Sequence, residues 1–212
     1  MNKLLTTDHY RGYPVNNEYN KNSEKNYQLS KDNMREIYLA LVHARDNIKR
    51  PIALRYTLGL NNDHSFDISK LTRKIKSIFN DTGYSFIYSF EHANKRGLHL
   101  EIILVVDKEK YNPHMVYKLL KKILRKIKGI SIKSRVNESN SKYEEYEYVS
   151  LTYHHVRGEY LKTGIREGHN LKNEAHFKAC IYRSSYLAKL GDKTLVQYKK
   201  KFGTTIGGNK ND

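Results

Sequence analysis

The stretch from Leu98 to Val106 limits the possible folds more than any other part of the chain. Leu98, Leu100, Ile102, Leu104 and Val106 alternate onto one face, and all are aliphatic, while His99, Glu101, Ile103 and Val105 share the other. So apolar a run reads as a buried central strand. A histidine and a carboxylate two residues apart inside such a strand are costly to bury without a partner, and a divalent cation supplies one. The preceding strand, Tyr84 to Glu91, sets Tyr84, Phe86, Tyr88 and Phe90 against Ser85, Ile87, Ser89 and Glu91. A turn through Asn94 and Gly97 returns the chain antiparallel beside it. Glu91, His99 and Glu101 can then converge on one ion, and their mixed nitrogen and oxygen donors suit Mn²⁺ or Mg²⁺ better than a structural zinc site. The competing reading is a His–Glu hydrogen bond on a solvated sheet face.

A second constellation lies in Tyr182-Arg183-Ser184-Ser185-Tyr186-Leu187-Ala188-Lys189. The pattern predicts a helix from about Asn170 to Leu190 with Phe177, Cys180, Ile181, Ser184, Leu187 and Ala188 as its apolar stripe. Tyr182, Tyr186 and Lys189 then fall on one face, roughly 160° from that stripe. Two phenols and an ammonium around an open spot could receive a phosphate. In a chain with 18 tyrosines they could equally be ordinary packing residues.

The remaining elements follow from period and punctuation. Residues 1–28 lack a sustained period and read as a flexible arm, and residues 203–212, with three glycines, as a flexible tail. Residues 29–202 form one domain. Ser30 caps a helix that ends before Pro51. Ile52 to Leu60 is a strand with Ala53, Arg55, Thr57 and Gly59 on its polar face. Ile68 to Phe79 is a helix ended by Asp81-Thr82-Gly83, and a third helix starts after Asn112-Pro113. Ile130 to Val136 and Val149 to Val156 are further strands, separated by a polar stretch. This order gives an α+β domain: a central antiparallel sheet with helices packed mainly on one face.

Lys and Arg number 39 against 22 Asp and Glu, a net charge of +17 that favours a polyanionic partner. No apolar run is long enough to span a bilayer, no signal-peptide core opens the chain, and no basic segment carries Trp or Phe anchors. The expectation is therefore a cytoplasmic protein without a membrane partner. A single cysteine, Cys180, allows no intramolecular disulfide.

Together, the tyrosine string and the histidine strand resemble the HUH endonucleases, which start rolling-circle replication or conjugative transfer by nicking one DNA strand. More narrowly, roughly residues 50 to 192 resemble the inovirus-type replication initiators and YagK/YfjJ C-terminal-domain proteins. Gly97-Leu98-His99-Leu100 with Asp107-Lys108-Glu109-Lys110-Tyr111, Gly158-Glu159-Tyr160-Leu161, and Tyr182 through Lys189 carry the likeness. The resemblance implies metal-dependent nicking and joining of single-stranded or origin DNA through a 5′-phosphotyrosine intermediate, in a phage, plasmid or satellite element. Tyr186, with Lys three residues on, would be the nucleophile, and Tyr182 its alternating partner or a structural neighbour. Lys189 would stabilise the phenolate, Glu91, His99 and Glu101 would hold Mn²⁺ or Mg²⁺, and Arg55, Lys95, Arg96 and Arg183 would contact DNA. His155 is a further candidate ligand. Unwinding and extension would fall to a host helicase and polymerase, since the chain has no Gly-x-x-x-x-Gly-Lys phosphate loop. One departure stands out: the family's second histidine is Glu101 here, which also fits a decayed domain that binds DNA without cutting it.

Overall fold

The computed structural model describes residues 3–21, 26–94, 96–139, 142–154, 168–193 and 195–208. In chain order, a small hairpin (β1, His9–Tyr10; β2, Tyr13–Pro14) precedes helix α1 (Lys31–Asn47), strand β3 (Pro51–Gly59) and helix α2 (Ile68–Phe79). Then come β4 (Tyr84–Ala93), β5 (Gly97–Asp107), α3 (Pro113–Leu124), β6 (Ile132–Ser139), β7 (Lys142–Val149) and β8 (Leu151–His154). The chain closes with β9 (His169–Asn170), α4 (Glu174–Ser185) and β10 (Phe202–Gly207). The helix starts obey local chemistry: Ser30, Asp67, Asn112 and Asn173 each accept a first-turn amide hydrogen bond.

The main sheet runs β10-β4-β5-β3-β8, with β9 paired to the other end of β3, and every pairing is antiparallel. This is the α+β plan with a central antiparallel sheet, and β5 lies in its middle. Its aliphatic face packs under α2 and α3, where Leu71, Ile75, Phe79, Val116, Leu120 and Leu124 meet Leu54, Phe86, Phe90, Leu100, Ile102 and Leu104. The helices divide between the faces. Met34, Ile37 and Leu41 of α1 and Phe177, Cys180 and Ile181 of α4 cover Ala53, Ile87, Ile103 and Val105 on the other side. Ser85 Oγ, on that second face, donates to the Ala40 carbonyl of α1 at 2.8 Å.

Three segments differ from the sequence reading. Described residues of the expected N-terminal arm are packed: Leu5, Tyr10 and Val15 are buried in one cluster with α1 and α4. Its apolar residues are too sparse to show a period, yet Leu5, Tyr10 and Val15 join the buried cluster beside those helices. Residues 203–207 of the expected tail belong to β10, antiparallel to β4 from Phe202↔Ser89 to Gly207↔Tyr84. Its glycines serve close approach, because a Cβ on Gly203 would meet the Tyr88 ring at 2.6 Å and one on Gly207 the Tyr84 ring at 2.4 Å. The polar stretch after β6 is itself a strand, β7, in a hairpin outside the main sheet. Its pairing runs from Ile132↔Val149 to Ser139↔Lys142.

Candidate metal centre and tyrosine site

Register brings the site together. Antiparallel pairing sets Glu91 opposite His99 across β4 and β5, and Thr57 opposite Glu101 across β3 and β5. Glu91, His99 and Glu101 are buried, and each offers a ligand atom within 4.8 Å of the others, a group that could hold a metal ion. His99 Nε2 stands 3.5 Å from Glu91 Oε2 and 3.9 Å from Glu101 Oε1. With Nδ1 donating to the Gly97 carbonyl at 2.9 Å, the neutral ring leaves a lone pair on Nε2 facing both carboxylates. Glu91 Oε1 is buried with no hydrogen-bond partner. An unpaired carboxylate oxygen and an aimed imidazole nitrogen fit a hard or borderline divalent cation.

Each carboxylate also has its own cation. Arg55 donates to Glu101 Oε2 from Nε at 3.2 Å and from Nη2 at 3.0 Å, and Thr57 Oγ1 donates to Glu101 Oε1 at 2.8 Å. Lys189 Nζ lies 2.8 Å from Glu91 Oε2. Burial alone would raise Glu101, but the Arg55 charge and the Thr57 hydrogen bond hold it below the usual carboxylate range. For His99 burial pulls downward, and the hydrogen bonds to Glu91 and Gly97 with the two carboxylate charges outweigh it, so the ring sits above its ordinary value. A metal ion would therefore compete with a proton for His99 and with Lys189 for Glu91.

The tyrosine string folds differently from a continuous helix. α4 stops at Ser185, and Tyr186–Ala188 tighten into a 3₁₀ turn. The N-terminal segment captures this end: the Ser30 amide donates to the Ala188 carbonyl and the Leu190 amide to the Gln28 carbonyl. Buried Lys193 adds Nζ to the Leu187 carbonyl at 3.0 Å, and burial brings its amine down to about 8. The tighter turn swings Tyr186 and Lys189 inward onto β4, where regular helix geometry would have aimed them away from the core. The Tyr186 hydroxyl donates to Glu91 Oε2 at 3.1 Å and receives a hydrogen bond from Lys189 Nζ. Burial first, then the Glu91 charge, pushes this phenol up to about 12 in spite of Lys189. The Arg55 guanidinium lies 4.9 Å from the centre of the Tyr186 ring, and Tyr27 packs against that ring edge-on.

Tyr182 does not join the cluster; its side chain is half-buried and its hydroxyl makes no hydrogen bond among the described residues. Arg183, expected to contact DNA, is half-buried, with Nη1 3.3 Å from His169 Nε2. Arg55, expected to contact DNA, is 20% exposed and engaged with Glu101. Arg96 is exposed and lines a cavity of about 310 Å³ with Thr57, His99, Ser150, Thr152 and His154. Lys95, His155 and the Gly158-Glu159-Tyr160-Leu161 string lie outside the described residues.

Sequence reasoning missed His154 and the part played by Thr57. His154 Nε2 is 2.6 Å from Thr57 Oγ1, and burial followed by the Arg55 charge lowers its pKa to about 4. The signal was partial: Thr57 shares a face with Arg55, but choosing His154 over its neighbour required the register Arg55↔His154.

Comparison with known proteins finds no matching family model, no matching curated protein and no matching solved structure. Among the described residues no helix is long and apolar enough to cross a membrane.

Proposed function

We propose that this chain nicks and rejoins single-stranded DNA, with Tyr186 as the nucleophile and Glu91, His99 and Glu101 as ligands of Mn²⁺ or Mg²⁺. One observation carries the reading: the Tyr186 hydroxyl touches a candidate metal ligand, Glu91, and a buried ammonium, Lys189, at the same time. A phenol pushed up to about 12 is a poor nucleophile by itself. Glu91 Oε2 is placed to accept its proton, and Lys189 to stabilise the phenolate. The Tyr186 oxygen would form a bond to phosphorus as the 3′ oxygen leaves, giving a 5′-phosphotyrosine and a free 3′-hydroxyl. A bound divalent cation would supply charge neutralisation at the scissile phosphate. Arg96 at the cavity mouth fits a flanking phosphate. The setting would be replication of a phage, plasmid or satellite element in a bacterial cytoplasm, with helicase and polymerase from the host.

A second reading has its own support. Arg55 and Lys189 already neutralise Glu101 and Glu91, which suits a metal-free scaffold that binds DNA without cutting it. Incubation with end-labelled, randomised single-stranded oligonucleotides and Mn²⁺ separates the two. The nicking reading expects an adduct that survives SDS and disappears in excess EDTA. Binding without an adduct under Mn²⁺, Mg²⁺ or any other divalent ion supports the reading of a domain that binds DNA without cutting it.

A further inference from the structure

On the far side of the sheet from the Glu91 cluster, α2 and α3 flank an open groove of about 620 Å³. Its floor is aliphatic, from Ile78, Leu119, Ile123 and Ile127, and its rim is cationic, from Lys70, Arg73, Lys74, Lys122 and Lys126. The five rim cations are exposed, and none has an ion-pair partner among the described residues. No Asp or Glu occurs in residues 68–79 or 113–128, so nothing within these helices offsets that charge. A solvated basic surface would not need an apolar trough between its charges. Nor would a site for the DNA backbone, which is held chiefly by hydrogen bonds and charge at phosphate and sugar oxygens. A peptide carrying carboxylates beside apolar anchors satisfies both features at once.

We propose that the α2–α3 groove docks an acidic amphipathic segment of a partner protein, its aliphatic or aromatic side chains in the trough and its carboxylates against the lysine rim. This site stands on the opposite face from the tyrosine and does not rest on the nicking reading. It would let another protein engage the chain while the Glu91 face stays open.

The test is fluorescence anisotropy with a labelled peptide of about 12 residues, built of glutamates with leucines at helical spacing. Saturable binding is expected, about tenfold weaker when the leucines become serines. The exposed pair Lys74→Glu with Lys122→Glu should abolish binding while leaving the melting temperature unchanged, and Leu119→Arg should weaken it independently. Equal affinity for the serine peptide would overturn the proposal, because charge alone would then be responsible. So would an oligonucleotide of equal charge that displaces the peptide and depends on the same lysines. Concentration-dependent dimerisation abolished by Lys74→Glu with Lys122→Glu would assign the groove to a second copy of this chain instead.

Discussion

The face of the sheet under α2 and α3 and the face under α1 and α4 are made of alternate residues of the same strands, yet they are built to different ends. On the first, Leu98, Leu100, Ile102, Leu104 and Val106 of β5 continue one hydrophobic core from end to end. On the second, Ile103 and Val105 are core, but one and two positions further along the same face stand Glu101 and His99. Burying apolar area stabilises the first face without need of geometry. On the second, every buried charge depends on a particular partner: Arg55 for Glu101, Lys189 for Glu91, the Gly97 carbonyl for His99. The lesson is that the strand's period can be read as cover on one side and as chemistry on the other.

If that division holds, removing volume from the first face has the largest effect. Phe90 is fully buried and stacks on Tyr198 with ring centres 4.0 Å apart. Phe90→Ala should lower unfolding free energy by about 4 kcal/mol in urea titration. Lys189→Met on the second face keeps most volume but strands the Glu91 carboxylate, and should cost about 3 kcal/mol. A negligible loss there would mean that water reaches the Glu91 carboxylate, and the comparison would break.

Metal binding sharpens the contrast further. Mn²⁺ at a hundred times its dissociation constant should raise stability by about 2.7 kcal/mol, seen as a higher melting temperature. Glu101→Gln should remove that gain, whereas Leu100→Ala, which acts through the opposite face, should lower the melting temperature with and without metal alike.

The smallest effect is a slope in pH. His169 is buried beside Arg183, and burial with that charge lowers its pKa from 6.5 to about 3. The unfolded ring takes up a proton first as pH falls, so stability contributed by the neutral buried ring is full above 6.5 and is lost progressively toward 3. One such group changes stability by at most about 1.4 kcal/mol per pH unit. His169→Asn should flatten urea-derived stability between pH 6 and 4 relative to the parent, and an unchanged slope would place His169 in contact with water.

Much of this architecture was legible because it depends on period and punctuation. β3, β4 and β5, the cap at Ser30, the helix start beside Pro113, and the convergence of Glu91, His99 and Glu101 all follow from alternation and turn chemistry. The parts that escaped depend on tertiary partners. Leu5, Val15 and Leu29 have no period of their own and are held by α1 and α4. The Tyr186 turn leaves helical geometry because the Ser30 amide and Lys193 bind its carbonyls and the Gln28 carbonyl takes the Leu190 amide, an arrangement that a helical wheel cannot contain. The partners of Arg55 and Arg183, Glu101 and His169, come from other elements of the chain, so these contacts are absent from the local pattern.

The account stands or falls on which oxygen becomes covalently linked to DNA. Tryptic digestion and mass spectrometry of the Mn²⁺-dependent adduct locate it directly. A nucleotide-bearing phosphotyrosine at Tyr186, absent from Tyr186→Phe and undiminished in Tyr182→Phe, is the result expected. An adduct on Tyr182, or none from the parent chain, would contradict it.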